Sequence, residues 1–173
     1  MRIVVWVVEG SWEACVDAAV ALAPADAELT LVYVHPEDAE ELAHGAFHGL
    51  FGRGHADPDP GDQMERVAEE SAAVLLDAAA ARVGRPVSVD RRQGRLEREV
   101  VAAADGADLL VVARDGDRSR LGPKSLGPPT RFVVDHAPCQ VLLVWPGPAP
   151  GIDSIPAPKH HGPPPQHHHR RRP

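Results

Sequence analysis

Five short apolar runs, separated by stretches with helical spacing, organise the first 146 residues. The runs are residues 3–8 (IVVWVV), 29–34 (LTLVYV), 87–92 (VSVDRR), 109–113 (LLVVA) and 141–145 (VLLVW). Four of them are nearly continuous in Val, Ile and Leu, which is how strands buried on both faces of a parallel sheet read. The run at 87–92 alternates and ends in charge, so it is expected at a sheet edge. The intervening segments predict helices. Ser11 is the expected N-cap of a helix over 12–23, with Trp12, Cys15, Val16, Ala19 and Leu22 on one face. Residues 63–83 carry Val67, Val74, Leu75 and Ala78 at helical spacing and stop before Gly84 and Pro86. Residues 95–104 repeat Leu96, Val100 and Ala103, and 130–135 make a short last helix before Ala137-Pro138. Strands alternating with helices in this order imply a parallel α/β sheet with right-handed crossovers. Five strands suit a flavodoxin-like, doubly wound domain rather than a barrel.

Two segments fall outside the pattern. Residues 36–62 form a long insertion between the second strand and the next helix. Its first half holds Leu42, Phe47, Leu50 and Phe51 and predicts a short amphipathic helix, and its second half (GRGHADPDPGD) is turn-rich and expected to be mobile. Residues 147–173 are rich in Pro, His and Arg, with only Ile152 and Ile155 as large aliphatic side chains, and are expected to be disordered.

Charge divides the chain the same way. The formal net charge is -7, from 25 Asp+Glu against 18 Lys+Arg. Residues 147–173 hold three Arg, one Lys and one Asp, a net +3, which leaves 14 basic against 24 acidic residues in 1–146, a net -10. An acidic body argues against general nucleic-acid binding, which draws on a basic surface to displace counterions. The longest apolar run, 3–8, is far shorter than the roughly 20 residues that span a bilayer, so no membrane partner is expected. Glu9 and Gly10 end that run without a signal-peptide cleavage pattern. Cys15 and Cys139 are too few for a disulfide framework. The expectation is a cytoplasmic protein with both thiols reduced.

In a doubly wound sheet, ligands bind beyond the carboxyl ends of the strands. There the chain reads Val8-Glu9-Gly10-Ser11 after the first strand, and Ala113-Arg114-Asp115-Gly116 leading to Gly127-Pro128-Pro129-Thr130 after the fourth. The fourth strand itself reads Ala107-Asp108-Leu109-Leu110-Val111-Val112-Ala113, and the last helix runs into His136-Ala137-Pro138-Cys139-Gln140-Val141-Leu142-Leu143-Val144. Together these phrases resemble the universal stress protein family over residues 1–146. The resemblance implies a five-stranded sheet in the order 3-2-1-4-5, a homodimer, and a regulatory rather than enzymatic role. One branch of that family binds ATP through a glycine motif after the fourth strand, and the other lacks it. By that resemblance the candidate nucleotide contacts are Val8, Glu9, Val34, Ala113, Gly116, Gly127 and Thr130, with ATP the candidate cofactor.

The motif is degenerate. Ala113 stands in place of the first glycine, ten residues rather than nine separate Gly116 from Gly127, Pro128 replaces a Ser or Thr, and Glu9 replaces an Asp. A phosphate at a helix N-terminus is held by backbone N–H groups and hydroxyls, and Pro128 and Pro129 have no N–H. The same prolines are ordinary helix starters. Arg114, Arg118, Arg120, Lys124 and Arg131 cluster nearby and offer compensation, or a solvated loop. Glu9 either reaches a nucleoside or only complements the first helix dipole. The balance leans towards weak or lost nucleotide binding and action through a regulatory protein partner.

Other chemistry is less well supported. His44 and His48 share an i, i+4 spacing without an evident third ligand, and Cys15 reads as packing rather than nucleophile. Cys139 and His136 lack an orienting group, and no Walker A, GxSxG or HExxH pattern occurs. A nucleotide-hydrolysing enzyme of the wider α-hydrolase-like group would need a serine-glycine-rich pyrophosphate loop that is missing, and a flavin carrier would need stacking aromatics. The run from Val141 to Trp145 is too apolar for a sheet edge open to water, so the homodimer is expected to form through it.

Overall fold

The computed structural model describes residues 1–36 and 60–157, with side chains in the second stretch described from Arg66 onward. Among the described residues, five strands, β1 (Arg2–Trp6), β2 (Glu28–Pro36), β3 (Ser88–Gly94), β4 (Leu109–Ala113) and β5 (Gln140–Val144), alternate with four helices. The helices are α1 (Trp12–Leu22), α2 (Pro60–Val83), α3 (Leu96–Ala103) and α4 (Pro128–His136). All pairings are parallel and the order is β3-β2-β1-β4-β5. The chain is therefore the doubly wound α/β domain that its alternation predicts, with the charged β3 at one edge and β5 at the other.

A central parallel strand has to bury both faces, and β1 does so: Ile3, Val4 and Val5 have no exposure. Ile3, Val5 and Val7 face Cys15, Val16 and Ala19 of α1 and Leu76, Ala79 and Val83 of α2. Val4 and Trp6 face Val100 and Ala103 of α3 and Val133 of α4. At the amino ends of β1 and β4, the backbone N–H of Arg2 donates to Asp108 at 2.7 Å and its guanidinium donates to the Asp105 carbonyl at 2.9 Å. A chelated pair ties α2 to α1, with Arg82 donating to both carboxylate oxygens of Asp17 at 2.6 and 2.7 Å. That pair holds the Asp17 carboxyl below its ordinary pKa, chiefly through the hydrogen bond.

Several expectations change. In α2 the buried stripe is Ala72, Leu76, Ala79 and Val83, whereas Val67 and Val74 are 57% and 70% exposed. Two apolar stripes wind around this helix, and the one with Val67 and Val74 is exposed. Leu22 of α1 is 58% exposed because the helix end runs past the edge of its neighbours. Ser11 sits at the N-cap position, but its hydroxyl donates to the Val8 carbonyl at 3.3 Å and caps no helical N–H. β1 ends two residues early, and β2 and β3 each run two residues further, to Pro36 opposite Gly94. The start of the segment expected to be disordered has local structure: Ile152–Ser154 form a 3-10 turn, and the Leu121 N–H donates to the Ser154 hydroxyl at 3.0 Å. The helix and mobile loop expected within 37–59, and the rest of the tail from 158, lie outside the described residues.

The α2 stripe is checked by chemical denaturation. Leu76→Ala should lower stability by about 2–5 kcal/mol, the usual range for a buried Leu. Val74→Ser should change it by less than about 0.5 kcal/mol, as for an open surface position.

Candidate functional site

A cleft of about 790 Å³ lies over the carboxyl ends of β1 and β2. Beyond β1 the chain turns sharply: the N–H groups of Ser11 and Trp12 both donate to the Val8 carbonyl, at 3.2 and 3.0 Å. Gly10 takes φ +73° in this turn, a conformation that side chains with a Cβ resist. The turn leaves Val8 and Glu9 facing the cleft, while β2 supplies Tyr33, Val34 and Pro36. The outer stripe of α2 supplies Val67, Glu70, Ser71, Val74 and Ala78, and Leu96 comes from the start of α3. The walls are mainly apolar, and their only charged residues among the described ones are Glu9 and Glu70. Trp6, 4% exposed, also lines the cleft, and its buried indole Nε1 has no acceptor. A buried N–H without a partner costs stability.

The other predicted residues form a separate assembly. Ala113, Gly116, Gly127 and Thr130 lie where β4 passes through its loop into α4, and none lines the cleft. The loop folds back on itself through Gly116 N–H to the Ser125 carbonyl (3.0 Å) and Asp117 N–H to the Lys124 carbonyl (2.8 Å). Gly116 is required here, because a Cβ on it would collide with the Lys124 carbonyl oxygen. Asp115 then reaches the start of α4, where its carboxylate accepts the Gly127 N–H at 2.6 Å. A Cβ on Gly127 would lie 2.8 Å from the second carboxylate oxygen of Asp115, so the carboxylate fills the space against that backbone.

The start of α4 therefore has few donors left. Pro128 and Pro129 carry no N–H, and Gly127 is already occupied. Thr130 is 1% exposed and its hydroxyl turns inward to the Ala113 carbonyl at 3.5 Å. Three of the five neighbouring cations make contacts within the loop or with Trp145. Arg114 lies over the Trp145 ring at 4.7 Å and donates to the Ser125 hydroxyl. Arg131 donates to the Pro123 carbonyl, and Arg120 to Asp117 at 3.2 Å. Asp117 also accepts from the backbone and hydroxyl of Ser119, which hold its carboxyl below the ordinary pKa.

Sequence reading places Val8, Glu9 and Val34 at the cleft but misses Trp6, Tyr33, Glu70, Ser71 and Leu96. The outer α2 stripe was its available signal, once Val67 and Val74 are assigned to a surface instead of the core. His44 and His48 lie outside the described residues, and no group of three or more metal-ligating side chains occurs among the described ones. No described helix is long and apolar enough to cross a membrane.

A doubly wound α/β domain with an apolar cleft at its strand ends, followed by a glycine-bearing turn into its last helix, defines the class. The universal stress protein family model matches residues 1–144, and the chain belongs to that family. Among solved structures, the hypothetical protein MJ0577, whose biochemical function was assigned from its structure, superposes with a TM-score of 0.62 at 17% identity. That match covers 83% of this chain and 94% of the other. Universal stress protein UspA from Lactobacillus plantarum gives 0.55 at 22% identity over 83% and 97% of the two chains. A universal stress protein in complex with cAMP gives 0.51 at 22% identity over 85% and 98%. These likenesses show the fold. No curated protein sequence matches this chain.

The two thiols should separate in reactivity. Burial pushes Cys15 from 9.0 up to about 12. Burial also raises half-buried Cys139, with the Asp108 charge adding to it. At pH 8 an alkylating reagent should modify Cys139 first and Cys15 only on unfolding; equal rates would contradict the packing of α1. Because the native state holds the Cys15 proton more tightly than the unfolded chain does, its contribution to stability is complete below about pH 9 and is lost as pH rises towards 12.

Proposed function

We propose that this universal stress protein is a cytoplasmic, homodimeric regulatory domain without catalytic turnover. It acts through contacts with a protein partner, and its binding of adenine nucleotides is weakened or lost at the phosphate end. The observation that carries this reading is the Asp115 carboxylate on the Gly127 N–H. A carboxylate at a helix start fills the role that a phosphate takes in nucleotide sites, and an unphosphorylated acid in that position competes with the ligand.

Dimerisation is supported by β5. Its outer edge pairs with no other described strand, yet Val141, Leu142, Leu143, Val144 and Trp145 are all half-buried and aliphatic or aromatic. An apolar open edge of this kind is stabilised by a second copy. Arg114 stacks on Trp145 and bonds to Ser125, so the same edge touches the loop that leads to α4.

A second reading keeps ATP as a ligand through the degenerate motif. It is favoured by the position of Val8, Glu9 and Val34 on the cleft, and by the cAMP held by a structurally similar family member. Calorimetric titration with ATP and Mg²⁺ separates the two. The leading reading expects a Kd weaker than about 100 μM, less than about 6 kcal/mol of binding free energy. Tighter binding would restore the second reading, and Pro128→Ser should then strengthen it by returning an N–H and a hydroxyl. Sedimentation at micromolar concentration should give a dimer, and Leu143→Lys on β5 should give monomer; a wild-type monomer would remove the dimer.

A further inference from the structure

The loop after β4 and the first turn of α4 are charged unlike the rest of the molecule. From Arg114 to Arg131 the chain holds five cations, Arg114, Arg118, Arg120, Lys124 and Arg131, against Asp115 and Asp117, a net +3. The remainder of residues 1–146 has 9 basic against 22 acidic residues. Arg118, Arg120 and Lys124 are exposed. The Asp117 N–H donates to the Lys124 carbonyl at 2.8 Å, so the turn bearing Arg118 and Arg120 lies against the 3-10 turn Pro123–Ser125 that bears Lys124. Arg120 shares a surface ion pair with Asp117 at 3.2 Å, a contact of small net worth that another carboxylate can replace.

An apolar element lies beside this basic surface. The Leu121 N–H donates to the Ser154 hydroxyl at 3.0 Å, and that hydroxyl donates to the Gly151 carbonyl at 2.6 Å. These two bonds hold the 3-10 turn Ile152–Ser154 against the loop. Ile152 is 75% exposed and Ile155 54%. Beside a basic patch they supply the apolar contacts that charge alone does not give a stable interface. After Asp153 the sequence contains no acid and carries Lys159, Arg170, Arg171 and Arg172, so the adjoining chain adds charge of the same sign.

We propose that the loop between β4 and α4, together with Ile152 and Ile155, docks a segment of a partner protein in which acidic and aliphatic residues are interspersed. This rests on the reading that the protein acts through a protein partner, and it names where that partner docks and by what chemistry. The partner's carboxylates pair with Arg118, Arg120 and Lys124, and its aliphatic side chains pack on Ile152 and Ile155. Arginine clusters are a recurring means of recognising acidic motifs, and opposite charge steers the two surfaces together. Nucleic acid is anionic too, but the acidic remainder of the body repels a long polyanion, and two isoleucines offer a phosphate backbone no partner.

Fluorescence anisotropy on the full chain tests this, with a labelled peptide of Asp-Glu pairs separated by leucines as the probe. The peptide should bind with a Kd tighter than about 100 μM, and about fivefold more weakly or worse when salt rises from about 50 to about 300 mM. Arg118→Glu combined with Lys124→Glu, both at exposed positions, should weaken it at least about tenfold. Ile152→Ser combined with Ile155→Ser, which leaves the cations in place, should weaken it about threefold. Wild-type affinity in the charge variant would overturn this surface and leave the protein-contact reading standing. An oligouridylate bound more tightly than the peptide would also overturn it, as would a peptide that splits a dimer into monomers, since the surface would then be a contact between copies. If ATP displaces the peptide at micromolar concentration, the loop is a phosphate site, and both this proposal and the reading of weakened nucleotide binding fail.

Discussion

A parallel sheet with both faces covered is the constraint from which the rest of this molecule follows. β1 has no exposed side chain from Ile3 to Val5, so helices must lie on both sides of it. Parallel pairing then obliges every helix to start from the same end of the sheet and to return to the other. The described turns from strand to helix consequently gather at one edge: Val8–Ser11, Gly94 to Leu96, and the loop from Arg114 to Gly127. Chemistry at that edge is a matter of which side chains these turns carry, because the helices' own N-termini supply the same partial positive charge to each.

Two of those turns solve the same electrostatic problem in different ways. The turn after β1 places Glu9 in the open, where it keeps its charge available to the cleft. The loop after β4 engages several of its charges internally. Asp115 neutralises the start of α4, Asp117 engages Ser119 and Arg120, and Arg114 is laid over Trp145. In a basic protein such a loop would be one cation among many. In a body of net charge -10 the basic residues around it are a local exception, and three of them are positioned by contacts with Trp145 and Ser125, with Asp117 and with the Pro123 carbonyl.

How far this was legible in the sequence depends on what each residue had to signal. The strands and their order are legible because continuous Val, Ile and Leu have one meaning in an alternating α/β chain. The edge position of β3 is legible from Asp90, Arg91 and Arg92. The buried face of α2 is not, because its core stripe is two alanines, one leucine and one valine, Ala72, Leu76, Ala79 and Val83. Ala72 and Ala79 pack closely because they are small, whereas Val67 and Val74 look more like core while facing the cleft. Burial here follows available space between helix and sheet, which hydrophobicity alone does not encode. Prolines at 128 and 129 announce the missing N–H groups in the sequence itself. Asp115 does not announce its role, since its partner Gly127 is twelve positions away and is reached only because Gly116 lets the loop close on Lys124 and Ser125.

That dependence on Gly116 changes what the degenerate motif means. A glycine kept at the second position looks like a remnant of nucleotide binding. Here its lack of a Cβ is used against the Lys124 carbonyl, inside the protein, and the backbone approach it permits carries Asp115 to α4 rather than a ligand. Ala113, where the family motif has its first glycine, is 9% exposed, and its carbonyl accepts the Thr130 hydroxyl. The residues that remain of the motif are retained by the fold's internal contacts. At the start of α4, Pro128 and Pro129 carry no N–H, and the Thr130 hydroxyl turns inward to the Ala113 carbonyl.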